Sequence, residues 1–290
     1  MEKVIWIGFS LLTAFFISIG DVLNKKVTKK VNIYVLACVW PIFTLPYLLI
    51  LLVREGIPTV MPPFYVALCV STVLISCSLI LYFKALKADD LSLVVPMRAF
   101  TPIFLLITSP LIIGEVSGPM AIVGIIFIVG GSYFLNVKDF HLGVLAPFKA
   151  LNKEGPRCML LIAVLYSVAA NFDKIGLNNS SPIFWLFSLH VSVGCVLCVI
   201  MFIHAKDIGA QIKSSVILLA IIGAISSLAL IFQMYALRLT LVSYVISIKR
   251  MSVVFSVIFG YFIFKEKDFR SRFLGVVLMA IGVLIISIFS

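Results

Sequence analysis

Ten apolar runs, each about 20 residues long, follow one another along this chain of 290 residues. A helix of about 20 apolar residues is long enough to cross the hydrocarbon core of a bilayer. Unpaired backbone groups are costly in lipid, so such spans must be helical. The sequence therefore predicts an all-α membrane protein with ten transmembrane helices. The runs lie at roughly 4–23, 33–53, 62–83, 92–113, 118–136, 157–172, 182–204, 214–236, 242–264 and 272–289.

Composition agrees with a membrane environment. The chain is 62% hydrophobic and 12% charged, whereas ordinary globular chains are about 45–50% apolar and about 25% charged. A soluble core could not bury this much apolar surface. The net charge of +11 comes largely from Lys and Arg between the apolar runs, as in loops on one side of a membrane. We therefore expect the lipid bilayer to surround the protein and expect no nucleic-acid partner.

The second half of the chain repeats the first when it is shifted by 151 positions. Each half holds five runs, and because five is odd, the halves must cross the membrane in opposite directions. Inverted repeats are a transporter architecture, with the substrate site near the midplane between the repeats. Aligned pairs include Ala85 with Ala236, Ser92 with Ser243, Arg98 with Lys249, Phe104 with Phe255, Glu115 with Glu266 and Gly124 with Gly275.

The longest connection carries several charges and divides the repeats. We predict a first five-helix repeat over 1–136, a basic connecting loop over 137–156 and a second five-helix repeat over 157–290.

Three cations fall inside predicted spans: Arg98, Lys249 and Arg250. Each costs about 2.5–3.5 kcal/mol at a helix centre by insertion scales. Arg98 and Lys249 lie roughly 9 Å inside the start of their helices at about 1.5 Å per residue, so in inverted halves they converge from opposite faces. One interpretation is a clamp for an anionic group. The other is that the cations snorkel to the interface or are neutralised by Asp21 and Asp173.

Other polar residues in the spans have two interpretations each. Tyr82, Gln233 and Tyr235 could orient a substrate or make ordinary hydrogen bonds between helices; Tyr82 and Gln233 are equivalent positions. Asp21 and Asp173 could carry protons or couple an ion. Alternatively they lie at the headgroup boundary or pair with a neighbouring Lys.

The remaining reactive residue types form no recognised catalytic or metal pattern. Glu115 and Glu266 end corresponding spans, which predicts a structural cap. Cys195 and Cys198 have metal-site spacing but lie in mid-span without polar neighbours, so we interpret them as small hydrophobes. His190 and His204 lie apart and make no metal set. We predict no metal, no cofactor and no enzymatic activity.

At the segments 85–131 and 236–282 the chain resembles the drug/metabolite transporter superfamily, in its ten-helix branch with two EamA-type repeats. The resemblance implies a carrier of small metabolites, working by alternating access in the plasma membrane. The family's fourth-helix proline is present as Pro102, and its counterpart here is Val253, which predicts that the halves bend differently. The pair Lys249-Arg250, with Arg98, is also similar to that of the sugar-phosphate translocators, where it implies phosphate binding.

Three functions stay open. The first is transport of a small organic anion bound by Arg98, Lys249 and Arg250. The second is proton-coupled export of amino acids or cationic drugs through Asp21 or Asp173. The third is a non-transporting scaffold or lipid-flippase component. Loop charges predict termini outside the cytoplasm, whereas many similar proteins are drawn with termini inside, and the oligomeric state is unknown.

Overall fold

A computed structural model describes residues 2–89, 94, 97–136, 152–255, 258–259 and 269–289. Within these ranges the chain forms ten helices and no strand, as the apolar runs predict. The connecting loop lies mostly outside the described residues, as does Glu266. The helices are α1 (Glu2–Val27), α2 (Ile33–Glu55), α3 (Pro63–Ala88), α4 (Thr101–Ile113), α5 (Pro119–Asn136), α6 (Glu154–Asn178), α7 (Pro182–His204), α8 (Ile208–Leu239), α9 (Val242–Lys249) and α10 (Phe269–Phe289).

The helices have the length and the surface of membrane spans. Six of them, α1, α2, α3, α6, α7 and α8, are long and apolar enough to cross a bilayer, and α4, α5 and α10 are shorter apolar helices. Large apolar side chains such as Val53, Leu111 and Ile217 are three-quarters or more exposed, whereas Ser10 and Thr13 are fully buried. Apolar groups outside and polar groups inside suit lipid as the surrounding solvent.

Helix packing is symmetric between the two halves. Helix α1 packs on α8. The helices that correspond to them in the other half, α6 and α3, pack on each other in the same way. The pairs α2 with α7 and α5 with α10 join corresponding helices of the two halves. The halves are therefore related by an approximate twofold axis.

Glycines in α5 and α10 show that the halves are inverted. Gly124 lies against the backbone of Gly282, and Gly131 lies against that of Gly275. Residue numbers rise along α5 as they fall along α10, so these corresponding helices are antiparallel. Small residues allow the close approach of their backbones. The prediction of two inverted five-helix repeats is confirmed.

The fourth and ninth spans are interrupted at equivalent positions. Phe100 N donates to Met97 O at 3.3 Å, and Met251 N donates to Ile248 O at 2.9 Å. These i to i+3 hydrogen bonds make a tighter turn than an α-helix. Pro102 follows the first turn, but Val253 follows the second and keeps its N–H bonded to Arg250 O. The proline is therefore not required for the interruption.

Candidate functional site

A cavity of about 170 Å³ lies between the two halves. Its wall is largely apolar, with side chains such as Leu79, Ile75 and Val193. Helices of both halves contribute, and the interrupted spans bring their charged residues to it. Cavities at the breaks of discontinuous helices are the usual substrate sites of inverted-repeat carriers. Seven of the eight residues that the sequence singled out line this cavity: Asp21, Tyr82, Arg98, Asp173, Gln233, Lys249 and Arg250.

Arg98 is paired inside its own half. Its Nη2 donates to Asp21 Oδ2 at 2.7 Å, and Tyr82 donates its hydroxyl to Asp21 Oδ1 at 2.8 Å. The guanidinium carbon also lies 5.8 Å from the centre of the Tyr82 ring, within reach of a cation–π contact. For Arg98, therefore, the interpretation of neutralisation by Asp21 holds. Asp21 does not pair with a neighbouring Lys.

The second half lacks this carboxylate. When Lys25 of α1 is aligned with Lys174 of α6, Asp21 aligns with Ala170. Lys249, the counterpart of Arg98, donates instead to the neutral Gln233 Oε1 at 2.6 Å. The twofold relation of the backbone is thus broken in the charges of the site.

Arg250 adds a cation that the first half does not have. Its counterpart is Ala99. Arg250 is only 4% exposed, and its Nε has no hydrogen-bond partner among the described residues. The positive charge of Arg98 acts on it unfavourably, and the negative charge of Asp21 acts on it favourably. A buried guanidinium normally has its donors satisfied, so this one has bonding capacity left for a bound group.

Asp173 is the second carboxylate of the cavity wall. It is 6% exposed, and its Oδ1 accepts a hydrogen bond from Trp185 Nε1 at 3.3 Å. It interacts electrostatically with Lys249. Its sequence neighbour Lys174 binds backbone carbonyls and Glu115 instead, so the alternative that Asp173 pairs with a neighbouring Lys does not hold.

Tyr235 lies away from the cavity. Its hydroxyl donates to Glu55 Oε1 at 2.8 Å, at an exposed position. Gln233 does face the cavity, and a residue two positions further along an α-helix is turned by about 200°. Tyr235, expected as a possible substrate contact, is not among the residues that line this cavity.

Glu115 links the two halves. Its Oε2 accepts from Val242 N at 2.8 Å, which caps the start of α9, and its Oε1 lies 3.5 Å from Lys174 Nζ. Lys174 also donates to the carbonyls of Leu237 and Thr240. The prediction of a structural cap is confirmed for Glu115, and the structure adds that it bridges both repeats.

His190 was missed as a cavity residue. It lies in the wall beside Trp40, and its Nε2 has no hydrogen-bond partner in the described part of the chain. The signal available in the sequence was a His in the middle of an apolar span, where polar groups are rare and functional. Across the described ranges, no group of three His, Cys, Asp or Glu residues is arranged to hold a metal.

Comparison with known proteins gives a family match. The model of the EamA-like transporter family matches residues 4–137 and again residues 155–288. An uncharacterized protein of Methanocaldococcus jannaschii is 31% identical over 133 residues, which is 44% of this chain and 93% of that protein. That relative is therefore close to one repeat in length. A solved crystal structure superposes with a TM-score of 0.73 at 13% identity, covering 97% of this chain and 95% of the other, so it shares the fold.

Proposed function

Because the chain belongs to the EamA-like transporter family and is thus a multi-pass membrane transporter, we propose that its cargo is a small organic anion, carried by alternating access across the plasma membrane. The observation that carries the proposal is Arg250, a buried cation in the cavity wall whose Nε has no hydrogen-bond partner among the described residues. Within the same part of the chain, Lys249 beside it donates to the neutral Gln233.

The charges of the wall support an anionic cargo. Arg98 and Asp21 compensate each other at 2.7 Å. Lys249, Arg250 and Asp173 remain, with one more positive than negative charge. Removing a net charge from water is costly unless it is paired. An anion bound at Lys249 and Arg250 offsets that cost. Tyr82 and Gln233 hydrogen-bond to the flanking charged side chains Asp21 and Lys249.

The cost of enclosing an unpaired charge also favours the exchange of one anion for another. An alternating-access carrier must close over its cavity to reorient. Closing over unpaired cations is unfavourable, whereas closing over a bound anion is not. The empty carrier therefore reorients slowly, and export of one anion is coupled to import of another.

Uptake into proteoliposomes tests the proposal. The probes are radiolabelled lactate, malate, glycerol 3-phosphate and inorganic phosphate, each with and without the same anion inside. We expect at least one to be taken up, faster with internal anion. Loss of one hydrogen-bonded charge contact is worth about 1.5–3 kcal/mol. Arg250→Gln and Lys249→Gln should therefore bind that anion about tenfold to a hundredfold more weakly.

The matched control is Arg238→Gln, which removes the same charge from an exposed position at the end of α8. It should leave uptake unchanged. Uptake by both cavity variants at the wild-type rate, for every anion that the wild-type protein carries, would contradict the proposal. Uptake by Arg250→Lys shows whether the positive charge alone is enough or the planar guanidinium is needed, because Lys offers a point charge only.

Asp173 supports a second candidate, the proton-coupled export of an amino acid or a cationic drug. This carboxylate lines the cavity and has no cationic partner within salt-bridge distance among the described residues. Asp21 is a poorer candidate because Arg98 and Tyr82 engage both of its oxygens. The second candidate requires a pH gradient to drive transport and loss of that coupling in Asp173→Asn. Anion exchange requires neither.

A further inference from the structure

His190 presents an unused hydrogen-bond acceptor in the cavity wall. The residue lies on α7 and is 5% exposed. Its Nδ1 is 2.8 Å from Leu186 O, and its ring lies 5.7 Å from the ring of Trp40. Its Nε2 is buried and has no partner within the described residues. Neighbouring cavity residues such as Leu189 and Val193 are apolar and cannot supply one.

The hydrogen bond at Nδ1 fixes the role of Nε2. A carbonyl oxygen only accepts, so the proton of a neutral imidazole must be on Nδ1, and Nε2 is then an acceptor. Leaving a buried acceptor unpaired is unfavourable, and nearly all buried polar atoms in proteins are paired. Because His190 lines the cavity, a molecule bound there is a source of the missing donor.

We infer that His190 is a specificity-determining residue that accepts a hydrogen bond from a hydroxyl or N–H group of the cargo. The inference rests on the proposed function, because it places the anionic group of the same molecule at Lys249 and Arg250. The cargo is then a small organic acid that carries a hydrogen-bond donor at its other polar group. The cavity of about 170 Å³ favours a small acid.

Three probes of nearly equal shape separate the possibilities: isocaproate has no donor, 2-hydroxyisocaproate has a hydroxyl, and leucine has an ammonium group. Affinities are measured on the purified full-length protein by thermal shift, since a ligand that binds only the folded state raises its stability. One hydrogen bond is worth about 0.5–1.5 kcal/mol. The hydroxyl or ammonium probe should therefore bind about two- to tenfold more tightly than isocaproate.

Variants assign that preference to His190. In His190→Leu the preference for a probe with a donor should disappear. In His190→Gln the preference should return in part, because the amide oxygen also accepts a hydrogen bond. A preference for 2-hydroxyisocaproate alone identifies a hydroxyl donor, and a preference for leucine alone identifies an N–H donor. Arg250→Gln should weaken all three probes together.

The outcomes distinguish the two proposals. Equal affinity of all three probes for the wild-type protein would overturn the role of His190 while leaving the cation site standing. Undiminished binding of the probes to Arg250→Gln would overturn the anion site instead. Binding of none of them would overturn the small-acid cargo altogether.

Nitrogen-15 NMR of histidine-labelled protein gives a readout that does not depend on the variants folding. The free protein should show the Nδ1-protonated, neutral imidazole for His190. The signal of Nε2 should move upfield when the preferred probe is added, as it accepts a hydrogen bond. A charged ring, or an Nε2 signal that stays in place at saturation, would contradict the inference.

Discussion

Arg98 and Asp21, which are 77 positions apart in the chain, form an ion pair of 2.7 Å in the wall of the central cavity. The pair joins the fourth span to α1 within the first half. Its counterparts in the second half are Lys249 and Ala170, which cannot form it. Lys249 therefore has no ion pair equivalent to that of Arg98 with Asp21.

Asp21→Asn should destabilise the protein more than loss of a surface pair. The substitution leaves the positive charge of Arg98 uncompensated. Removing one partner of a buried ion pair costs about 3–5 kcal/mol. Because the two side chains are 11% and 14% exposed, the lower part of that range applies. The melting temperature in detergent should fall clearly. Asp21→Asn combined with Arg98→Met should recover much of the loss.

The control for this prediction is Lys84→Gln. Lys84 and Glu154 form an ion pair of the same length, 2.7 Å, but their side chains are 48% and 56% exposed. Exposed pairs contribute little, so its melting temperature should barely change. Equal effects of Asp21→Asn and Lys84→Gln would mean that the cavity pair is solvated like a surface pair.

Glu115 should act through two separate contacts. Glu115→Gln keeps an oxygen for Val242 N but removes the charge opposite Lys174, whereas Glu115→Ala removes both. Losing a helix cap costs about 1 kcal/mol. The melting temperature should therefore fall further in Glu115→Ala than in Glu115→Gln. Identical melting temperatures for the two variants would argue against the cap.

Glycines between α5 and α10 should not tolerate alanine. A Cβ at Gly131 would come within 2.7 Å of Gly275 O and 2.6 Å of Met279 Cγ. Overpacking of this kind costs about 1–3 kcal/mol, and Gly131→Ala should lower the melting temperature. Gly130→Ala is the matched control, because nothing lies within 4 Å of its Cβ and alanine favours the helix by about 1 kcal/mol. A stability gain in both variants would contradict the close contact of Gly131 with α10.

Cys38 and Cys198 should form a cross-link between the halves. Their Sγ atoms are 3.2 Å apart across α2 and α7. In a variant that keeps only these two cysteines, copper phenanthroline should oxidise both thiols to one disulfide, with copper and oxygen accepting the two electrons. Mass spectrometry should then find one bridged peptide pair. Transport should stop and return on reduction if α2 and α7 move during the cycle.

A variant that keeps Cys38 and Cys195 is the control for the cross-link. Cys195 is exposed and lies about one helical turn from Cys198, so its thiol should stay free of Cys38 under the same oxidation. Bridging in the control, or its absence with Cys198, would contradict the contact between α2 and α7 at Cys38 and Cys198.

Hydropathy and the internal repeat predicted most of the fold. Apolar runs of bilayer length can only be helices in lipid, and an odd number of spans in each repeat requires inversion. The shift of 151 positions even paired the glycines that later proved to lie at the α5–α10 contact. Interruption of the ninth span at Arg250 was not foreseen, because Val253 gives no signal of the kind that Pro102 gives.

Sequence alone also identified the cations of the cavity, since charge inside an apolar span is costly enough to indicate a purpose. Only the tertiary structure decided which of them are compensated. Asp21 reaches Arg98 across 77 positions, Tyr235 binds Glu55, and His190 Nε2 has no partner among the described residues. These outcomes arise because helices distant in sequence pack side by side. Burial and pairing depend on those contacts in space, and spacing along one helix does not encode them.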